Sequence, residues 1–468
     1  MLDIHLDFSS LASPLHLQLY EQIALQIEQS LLVTGERLPP TRALSQQLNI
    51  SRGSVVRAYE TLVSAGLCRS ETGRGTFVTG WPEREGKPPV LSTRQSKNRL
   101  AEPAVGSVSL LPSQANVDHL PISDFRNAFN RTLRYPARFS QFGESAGDFR
   151  LRSLVCEHLL PARGIHATPE QVLIVPGTQY ASVLLAMTLN KTHRRLHFGV
   201  PGYLDIARNF ERFGFDLVPH AVDEEGMTLP ESAGDSDVIY CMPEHHFPQC
   251  VALSAQRRQR LLSWAELNKL YILEDDYDSE FYFNRMPQLA LKANDPQERV
   301  IYLGTFSKSL FNSLRLGYVV ASEALINSLA SLHWNLSRGT SSLLQRWVGE
   351  LIEAGMYERH IRRMRSVYRV KRDAVAELIN RHFPCAQFTL PSGGLQLLIE
   401  CPDKRCSTAI FLWCKENGVR LADPANYVLD CHCGPDFIVL GFANIPLHDF
   451  EALLLKLKHF LSCMAVGV

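Results

Sequence analysis

The residues best suited to chemistry lie between Leu303 and Gly317, in the run Leu-Gly-Thr-Phe-Ser-Lys-Ser-Leu-Phe-Asn-Ser-Leu-Arg-Leu-Gly. Lys308 is preceded by Thr305 and Ser307 and followed, seven residues on, by Arg315. A hydroxyl-rich turn carrying a lysine, with an arginine nearby, can hold an anion while the amine attacks a carbonyl. Pyridoxal 5'-phosphate has both needs, an aldehyde that forms a Schiff base with an amine and a phosphate that wants donors and charge. Alone, the run also fits a surface lysine beside a Ser/Thr turn. A second feature lies upstream, in Leu-Tyr-Ile-Leu-Glu-Asp-Asp-Tyr-Asp-Ser-Glu-Phe over 270–281, which reads as a short apolar strand ending in an acidic loop. A pyridinium nitrogen needs a buried carboxylate to stay protonated, and the neighbouring ring oxygen needs a hydroxyl. Asp275 and Tyr277, two apart on extended backbone, point to the same side and can serve both.

These residues need a scaffold. From Leu111 onward strand and helix patterns alternate, the mark of an α/β sheet with crossover helices. Val172 to Val175 reads as a strand, and Pro176-Gly177-Thr178-Gln179 turns into an apolar helix from Tyr180 to Leu189, a geometry that can cradle phosphate. Leu196 to Val200 runs into Pro201-Gly202-Tyr203, Val238 to Tyr240 into Met242–Pro248, and Val300 to Leu303 into the Lys308 run. The suggestive residues thus fall at the C-terminal ends of strands, where open α/β sheets bind ligands. From about residue 353 a long polar helix (Ile361 to Ile379), an apolar stretch (Phe388 to Ile399) and a final α+β segment read as a smaller lobe.

The 468 residues, 45% of them hydrophobic, allow two or three domains with real cores. Formal net charge is zero, so any nucleic-acid contact must come from a local patch. Eleven scattered cysteines, no recognisable signal peptide and no membrane-length apolar run predict a soluble cytoplasmic protein with reduced thiols. Cys431-His432-Cys433 could be half a metal site, but no second pair has ligand spacing, so no metal is expected.

The local patch lies near the N-terminus. Pro14 to Leu32 carries Leu15, Leu19, Ile23, Ile27 and Leu31 at helical spacing. Thr41 reads as an N-cap for a helix over Arg42 to Leu48, and Ser51 as the cap of a second helix over Arg52 to Ala65, with Val55, Tyr59, Leu62 and Val63 as its apolar face. Two short helices across a tight turn, followed by a hairpin with Gly73-Arg74-Gly75 at its tip, predict a helix-turn-helix with a wing. From Arg37 to Gly80 six arginines stand against Glu60 and Glu71, a local balance of +4. That suits duplex DNA, with a helix N-terminus and hydroxyls on phosphate and arginines in the groove. Residues 81–110, with Pro82, Pro88, Pro89 and Pro103 and little apolar periodicity, read as a linker between a domain over 1–80 and one over 111–468.

Residues 14–79 resemble the winged helix-turn-helix of GntR-type regulators, through Gly-Glu-Arg-Leu-Pro-Pro-Thr-Arg-Ala-Leu-Ser, Ile-Ser-Arg-Gly-Ser-Val-Val-Arg-Ala-Tyr-Glu-Thr-Leu and Gly-Arg-Gly-Thr-Phe-Val. The resemblance implies DNA contacts from Arg42, Ser51, Arg52, Ser54 and Arg57 and from Arg74, Gly75 and Thr76 of the wing. The later motifs, Gly-Thr-Gln, Pro-Gly-Tyr, Glu-Asp-Asp-Tyr-Asp-Ser-Glu-Phe, Gly-Thr-Phe-Ser-Lys and Leu-Arg-Leu-Gly, resemble fold-type I aminotransferases. With the winged domain in front, the whole resembles the MocR-like regulators of the GabR and PdxR type. This implies Lys308 as the Schiff-base lysine, Asp275 at the pyridine nitrogen, Tyr277 at the phenolic oxygen and Tyr203 stacked on the ring. The phosphate would lie on Gly177, on the Thr178 and Gln179 backbone, and on Thr305, Ser307 and Arg315. A domain-swapped homodimer is implied too.

Three positions depart from the pattern. Phe247 stands where aminotransferases place an asparagine, Asn312-Ser313 replaces the usual Pro-Gly after the lysine, and Val439 occupies the place of an arginine that clamps a substrate carboxylate. Two readings follow. One is a transcription regulator that binds pyridoxal phosphate and senses it or an amine; the other is a working aminotransferase with an accessory DNA-binding domain. Val439 and the wing favour the first.

Overall fold

The computed structural model describes residues 14–28, 31–71, 74–79, 108–190, 192–230, 237–429 and 436–465, with residues 4 and 234. The chain packs as two compact units, Met1–Ala101 and Glu102–Val468. Most of the linker segment (81–107) and Cys431-His432-Cys433 lie outside the described residues. Among those described, no helix is long and apolar enough to cross a membrane and no side-chain cluster has metal-ligand character.

The first unit is three helices and a hairpin: α1 (Leu15–Glu28), α2 (Thr41–Gln47), α3 (Arg52–Ser64), β1 (Cys68–Glu71) and β2 (Gly75–Val78). One apolar cluster explains its packing. Leu19, Ile23 and Ile27 of α1 meet Leu44 of α2 and Val55, Tyr59 and Leu62 of α3, all nearly inaccessible. Leu31 and Val63, read as apolar-face positions, are instead 68% and 37% exposed. For Leu31 the reason is that α1 ends earlier than its periodicity suggested. Ser51 does cap α3, accepting the Ser54 N–H at 3.1 Å. Thr41 does not cap α2; it is the first helical residue, the cap position falls to Pro40, and no side chain accepts there.

The second unit is built on an eight-stranded sheet of β3 (Val172–Val175), β4 (Arg195–Val200), β5 (Asp216–Asp223), β6 (Gly226–Met227), β7 (Asp237–Cys241), β8 (Tyr271–Asp276), β9 (Val300–Thr305) and β10 (Gly317–Val320). The order is β3-β10-β9-β8-β7-β4-β5-β6. The five strands from β9 to β5 run parallel, while β10 and β6 are antiparallel to their neighbours. The central strands are buried on both faces, as a parallel sheet under crossover helices must be. Alternation sorts their side chains into two cores. Leu173, Val175 and Val319 pack with helices Thr178–Leu189 and Leu204–Arg212, while Val172, Ile174 and Val320 face helices Ser342–Glu353 and Met356–His382. A three-stranded sheet of β11 (Gln387–Phe388), β12 (Gln396–Glu400) and β13 (Phe437–Gly441) forms the small lobe with helices Lys404–Glu416 and Leu447–Ala465.

β8 corrects the reading of 270–281. Glu274, Asp275 and Asp276 belong to the strand itself and do not form a loop beyond it. Period-two alternation then separates the carboxylates. Glu274 turns away to accept the Leu291 and Lys292 N–H groups, and Asp276 meets Arg163 and Tyr302 on that same side. Asp275 alone of the three turns toward Lys308.

Candidate functional site

Chain segments distant in sequence make one cavity of about 330 Å³. Its wall includes Thr178 and Gln179 after β3, Asp275 and Tyr277 at the end of β8, Thr305, Ser307, Lys308 and Arg315 around the turn after β9, and Tyr203 after β4. Each lies at or just past the C-terminal end of a strand.

Lys308 is half-buried, and its Nζ donates to the Ser113 carbonyl at 2.7 Å. Burial, partly opposed by Asp278 and Asp275, lowers its pKa to about 8, so a useful fraction of the amine is neutral near neutrality. Asp275 is 4% exposed, and its Oδ2 accepts the Tyr240 hydroxyl at 2.8 Å. Its Oδ1 is buried and makes no hydrogen bond. Burial pushes this carboxyl up to about 7, against the Tyr240 bond and Lys308, which both pull it down. A cationic N–H placed at Oδ1 would satisfy the orphan atom and hold the group ionised. Tyr277 is also buried; its hydroxyl accepts from Gln396 Nε2 at 3.0 Å, which leaves its own proton free to donate.

The end of the cavity nearest Arg315 is shaped by backbone. Gly177 has φ 89° and ψ 169°, and a Cβ there would stand 3.3 Å from Nη2 of Arg315. Only glycine both adopts that φ cheaply and leaves room for the guanidinium. Arg315 itself sits at φ 49°, ψ 52°, a left-handed conformation that for a non-glycine residue stores on the order of 1 kcal/mol. Behind Gly177 the helix Thr178–Leu189 presents its unpaired first-turn N–H groups. Thr305 Oγ1 accepts the Ser307 N–H at 3.1 Å, which holds that turn closed. The Gln179 side chain is engaged elsewhere, donating to Tyr203 OH at 2.6 Å and accepting from Asn209.

Sequence reasoning missed several lining or supporting groups. Leu111, Pro112, Ser113 and Gln114 close one side, yet nothing in that run looks chemical. Tyr240, Gln396 and Tyr427 were also unmarked. Tyr240 carried no signal in the sequence, since only the register that places it beside Leu273 on the neighbouring strand brings it within reach of the β8 end. Of the three departures, Phe247 and Asn312 line the cavity, and Asn312 Nδ2 donates to Ser113 O at 3.4 Å. Val439 does not; it is fully buried on β13, paired with Leu398.

In the winged unit Arg42, Arg52, Arg57 and Arg74 are exposed, while Ser54, Gly75 and Thr76 are half-buried. Arg52 and Ser51 stand at the start of α3, so the helix N-terminus and its hydroxyl cap face outward together.

Comparison with known proteins agrees with both halves. Residues 15–78 match the model of the bacterial regulatory proteins of the gntR family, and residues 113–423 that of aminotransferase class I and II. The "Probable rhizopine catabolism regulatory protein MocR" of Rhizobium meliloti is 31% identical over 389 residues, which is 79% of this chain and 78% of that protein. This chain belongs to the MocR-like family. Another relative in reach of the MocR-like chain is the pyridoxine biosynthesis transcriptional regulator PdxR of Corynebacterium glutamicum, 30% identical with 82% of this chain and 83% of that protein covered. Among solved structures, the α-aminoadipate aminotransferase LysN of Thermus thermophilus superposes with a TM-score of 0.70 at 24% identity, covering 78% of this chain and 94% of that one. The last likeness shows the MocR-like unit's aminotransferase fold and nothing about its substrate.

Proposed function

We propose that this protein is a DNA-binding transcription regulator whose aminotransferase-like unit holds pyridoxal 5'-phosphate at Lys308 and responds to that compound or to an amine that reaches it. One observation carries the cofactor reading: Asp275 Oδ1, buried and unpartnered, shares a single cavity with the amine of Lys308 and the Gly177–Arg315 cradle. The residues present fit the group. Arg315, Thr305, Ser307 and the helix N-terminus behind Gly177 would take the phosphate, Asp275 the ring nitrogen, Tyr277 the ring oxygen and Tyr203 the ring face. When bound, the cofactor supplies an aldehyde that condenses with primary amines.

The rest is done by side chains of this chain. Lys308, whose amine is held by the Ser113 carbonyl, would supply the nucleophile in its neutral form. Tyr240 fixes the Asp275 carboxylate in orientation. Gln396, reaching from β12, orients the Tyr277 hydroxyl and so ties the small lobe to the site. Phe247, edge-on to Tyr203, Tyr277 and Tyr427, keeps that wall apolar and dry.

The winged unit supplies the DNA half of this reading, and duplex operator DNA is its partner. A domain-swapped homodimer is the assembly we propose, supported by the long 81–110 segment and by the family. The test is direct. The purified protein with pyridoxal phosphate should be yellow, and borohydride should abolish the visible band and fix the cofactor to the peptide containing Lys308. A protein that stays colourless at saturating cofactor refutes the cofactor reading. Turnover of an amino-acid panel with 2-oxoglutarate into glutamate would instead favour the aminotransferase reading.

A further inference from the structure

The wing is the two-stranded hairpin its sequence suggests, with a further segment bridged to its β2 edge. Backbone from Gly35 to Leu38 pairs with β2, through Gly35 N to Val78 O at 2.8 Å, Val78 N to Glu36 O at 2.9 Å and Leu38 N to Thr76 O at 2.9 Å. Pairing sorts the side chains of these segments onto two faces. Leu38, Cys68 and Val78 point inward, each at most 3% exposed. Arg37 therefore points outward, in one row with its partner Phe77 and, across β2, with Arg69. In the adjacent row of that outer face Gly75 pairs with Glu71.

Arg37, Arg69, Arg74 and the carboxylate of Glu71 share this side of the wing, and the arginines are not equivalent. Glu71 takes Arg74 at 2.8 Å and Arg69 at 3.4 Å. Arg37 has no carboxylate partner among the described residues. Its guanidinium instead lies against Gly75, where a Cβ would come within 2.8 Å of Nε and 3.2 Å of Nη2. Gly75 also sits at φ 115°, closed to ordinary side chains. Arg37 is thus a cation seated against Gly75, with donors open to solvent on the outer face of the wing.

We propose that Arg37, seated on Gly75, binds a backbone phosphate of duplex DNA, and that it supplies more of the wing's electrostatic contact than Arg74. The proposal rests on reading the winged unit as DNA-binding. A planar guanidinium held in one orientation offers two parallel N–H donors to phosphate oxygens and loses little freedom on contact. Arg74 must share its charge with Glu71, so a phosphate gains less from it. The contact carries no sequence information, because phosphate oxygens are the same at every base step.

The experiment measures binding of full-length protein to a mixed-sequence duplex by fluorescence anisotropy across a range of salt concentrations. Arg37→Ala should weaken binding about tenfold near 0.1 M salt and reduce the slope of log affinity against log salt by about 1. Arg37→Lys should keep the slope, Arg74→Ala should lose less than Arg37→Ala, and Glu71→Gln should tighten binding. Gly75→Ala should reproduce the Arg37→Ala loss by unseating the guanidinium. Melting of each variant by circular dichroism checks that the unit stays folded. An unchanged slope in a folded Arg37→Ala protein overturns the proposal, as does an Arg37→Lys slope that falls as far as that of Arg37→Ala, or an Arg74→Ala loss that exceeds the Arg37→Ala loss. Failure of the wild type to bind any duplex overturns the regulator reading itself, a result distinct from all of these.

Discussion

In the winged unit the arginines that would meet DNA stand in water, whereas around Lys308 the carboxylates Asp275, Asp276 and Asp278 are 4%, 7% and 2% exposed. The two regions obey different electrostatics. At the wing, each charge is screened by salt, pairs such as Arg74–Glu71 are worth at most about 1 kcal/mol, and what matters is how many cations face one surface. In the cavity, each charge needs a named partner. Asp276 has Arg163 at 2.6 Å, Asp278 has His245 at 2.7 Å, and Asp275 has one neutral hydroxyl and one empty lone-pair side. Exposed charge is additive and tolerant. Buried charge is specific: Asp275 and Asp278 each keep one oxygen without a partner, and of the two only Asp275 lines the cavity with Lys308, which marks the place for a ligand.

The comparison predicts separable losses. The largest is at Lys308. Lys308→Ala should abolish borohydride-fixed cofactor entirely while leaving the salt slope of non-specific DNA binding untouched; a changed slope would show that the two regions are not electrostatically independent.

Asp275→Asn comes next, and its sign depends on ligand. The folded pKa is raised from its ordinary value to about 7, so between about pH 4 and 7 the native state binds more protons than the unfolded chain and stability falls as pH rises. The cofactor-free variant, which lacks this titration, should melt above wild type at pH 8, with the gap closing toward pH 5. It should bind pyridoxal phosphate far more weakly, as judged by absorbance titration. A cofactor-free variant that melts below wild type at pH 8 would mean that Asp275 is already compensated.

Arg52→Ala, at the exposed start of α3, should cost about 1–3 kcal/mol at a selected operator and blur its sequence preference at one position. Equal loss on operator and mixed-sequence duplex would reassign Arg52 to phosphate. Ser51→Ala removes the α3 cap and should lower the stability of the winged unit by roughly 1 kcal/mol in thermal melts. Smallest of all should be the spectral response to ordinary amino acids. Lys308 and Arg315 are the only cations lining the cavity among the described residues, and both are assigned to the cofactor. Saturation at micromolar levels by any amino acid would reveal a clamp that Val439 does not supply.

Much of the site was legible because its residues fall in short motifs tied to strand ends. Lys308, Arg315, Thr178 and the Asp275–Tyr277 pair could be marked without coordinates, since each needs only local geometry to be placed at a strand terminus. What escaped notice did so for physical reasons. Thr41 has the right side chain for a cap, but the helix begins one residue early and the preceding Pro40 takes the cap position. Ser113 enters the site through its carbonyl, a group every residue owns, so its identity carries no signal. Arg37 looked like one of six similar arginines until pairing with β2 set it over Gly75.

From residue order alone come the winged helix-turn-helix, the α/β class, the local +4 patch and the candidate lysine, all consequences of periodicity, capping and turn chemistry within a dozen residues of chain. Tertiary structure decided which of three consecutive carboxylates faces Lys308, which of Asp275's oxygens lacks a partner, and which wing arginine lacks a carboxylate. Those are questions of register between strands distant in sequence. A shift of one residue there turns every side chain to the opposite face, and no local pattern records the shift.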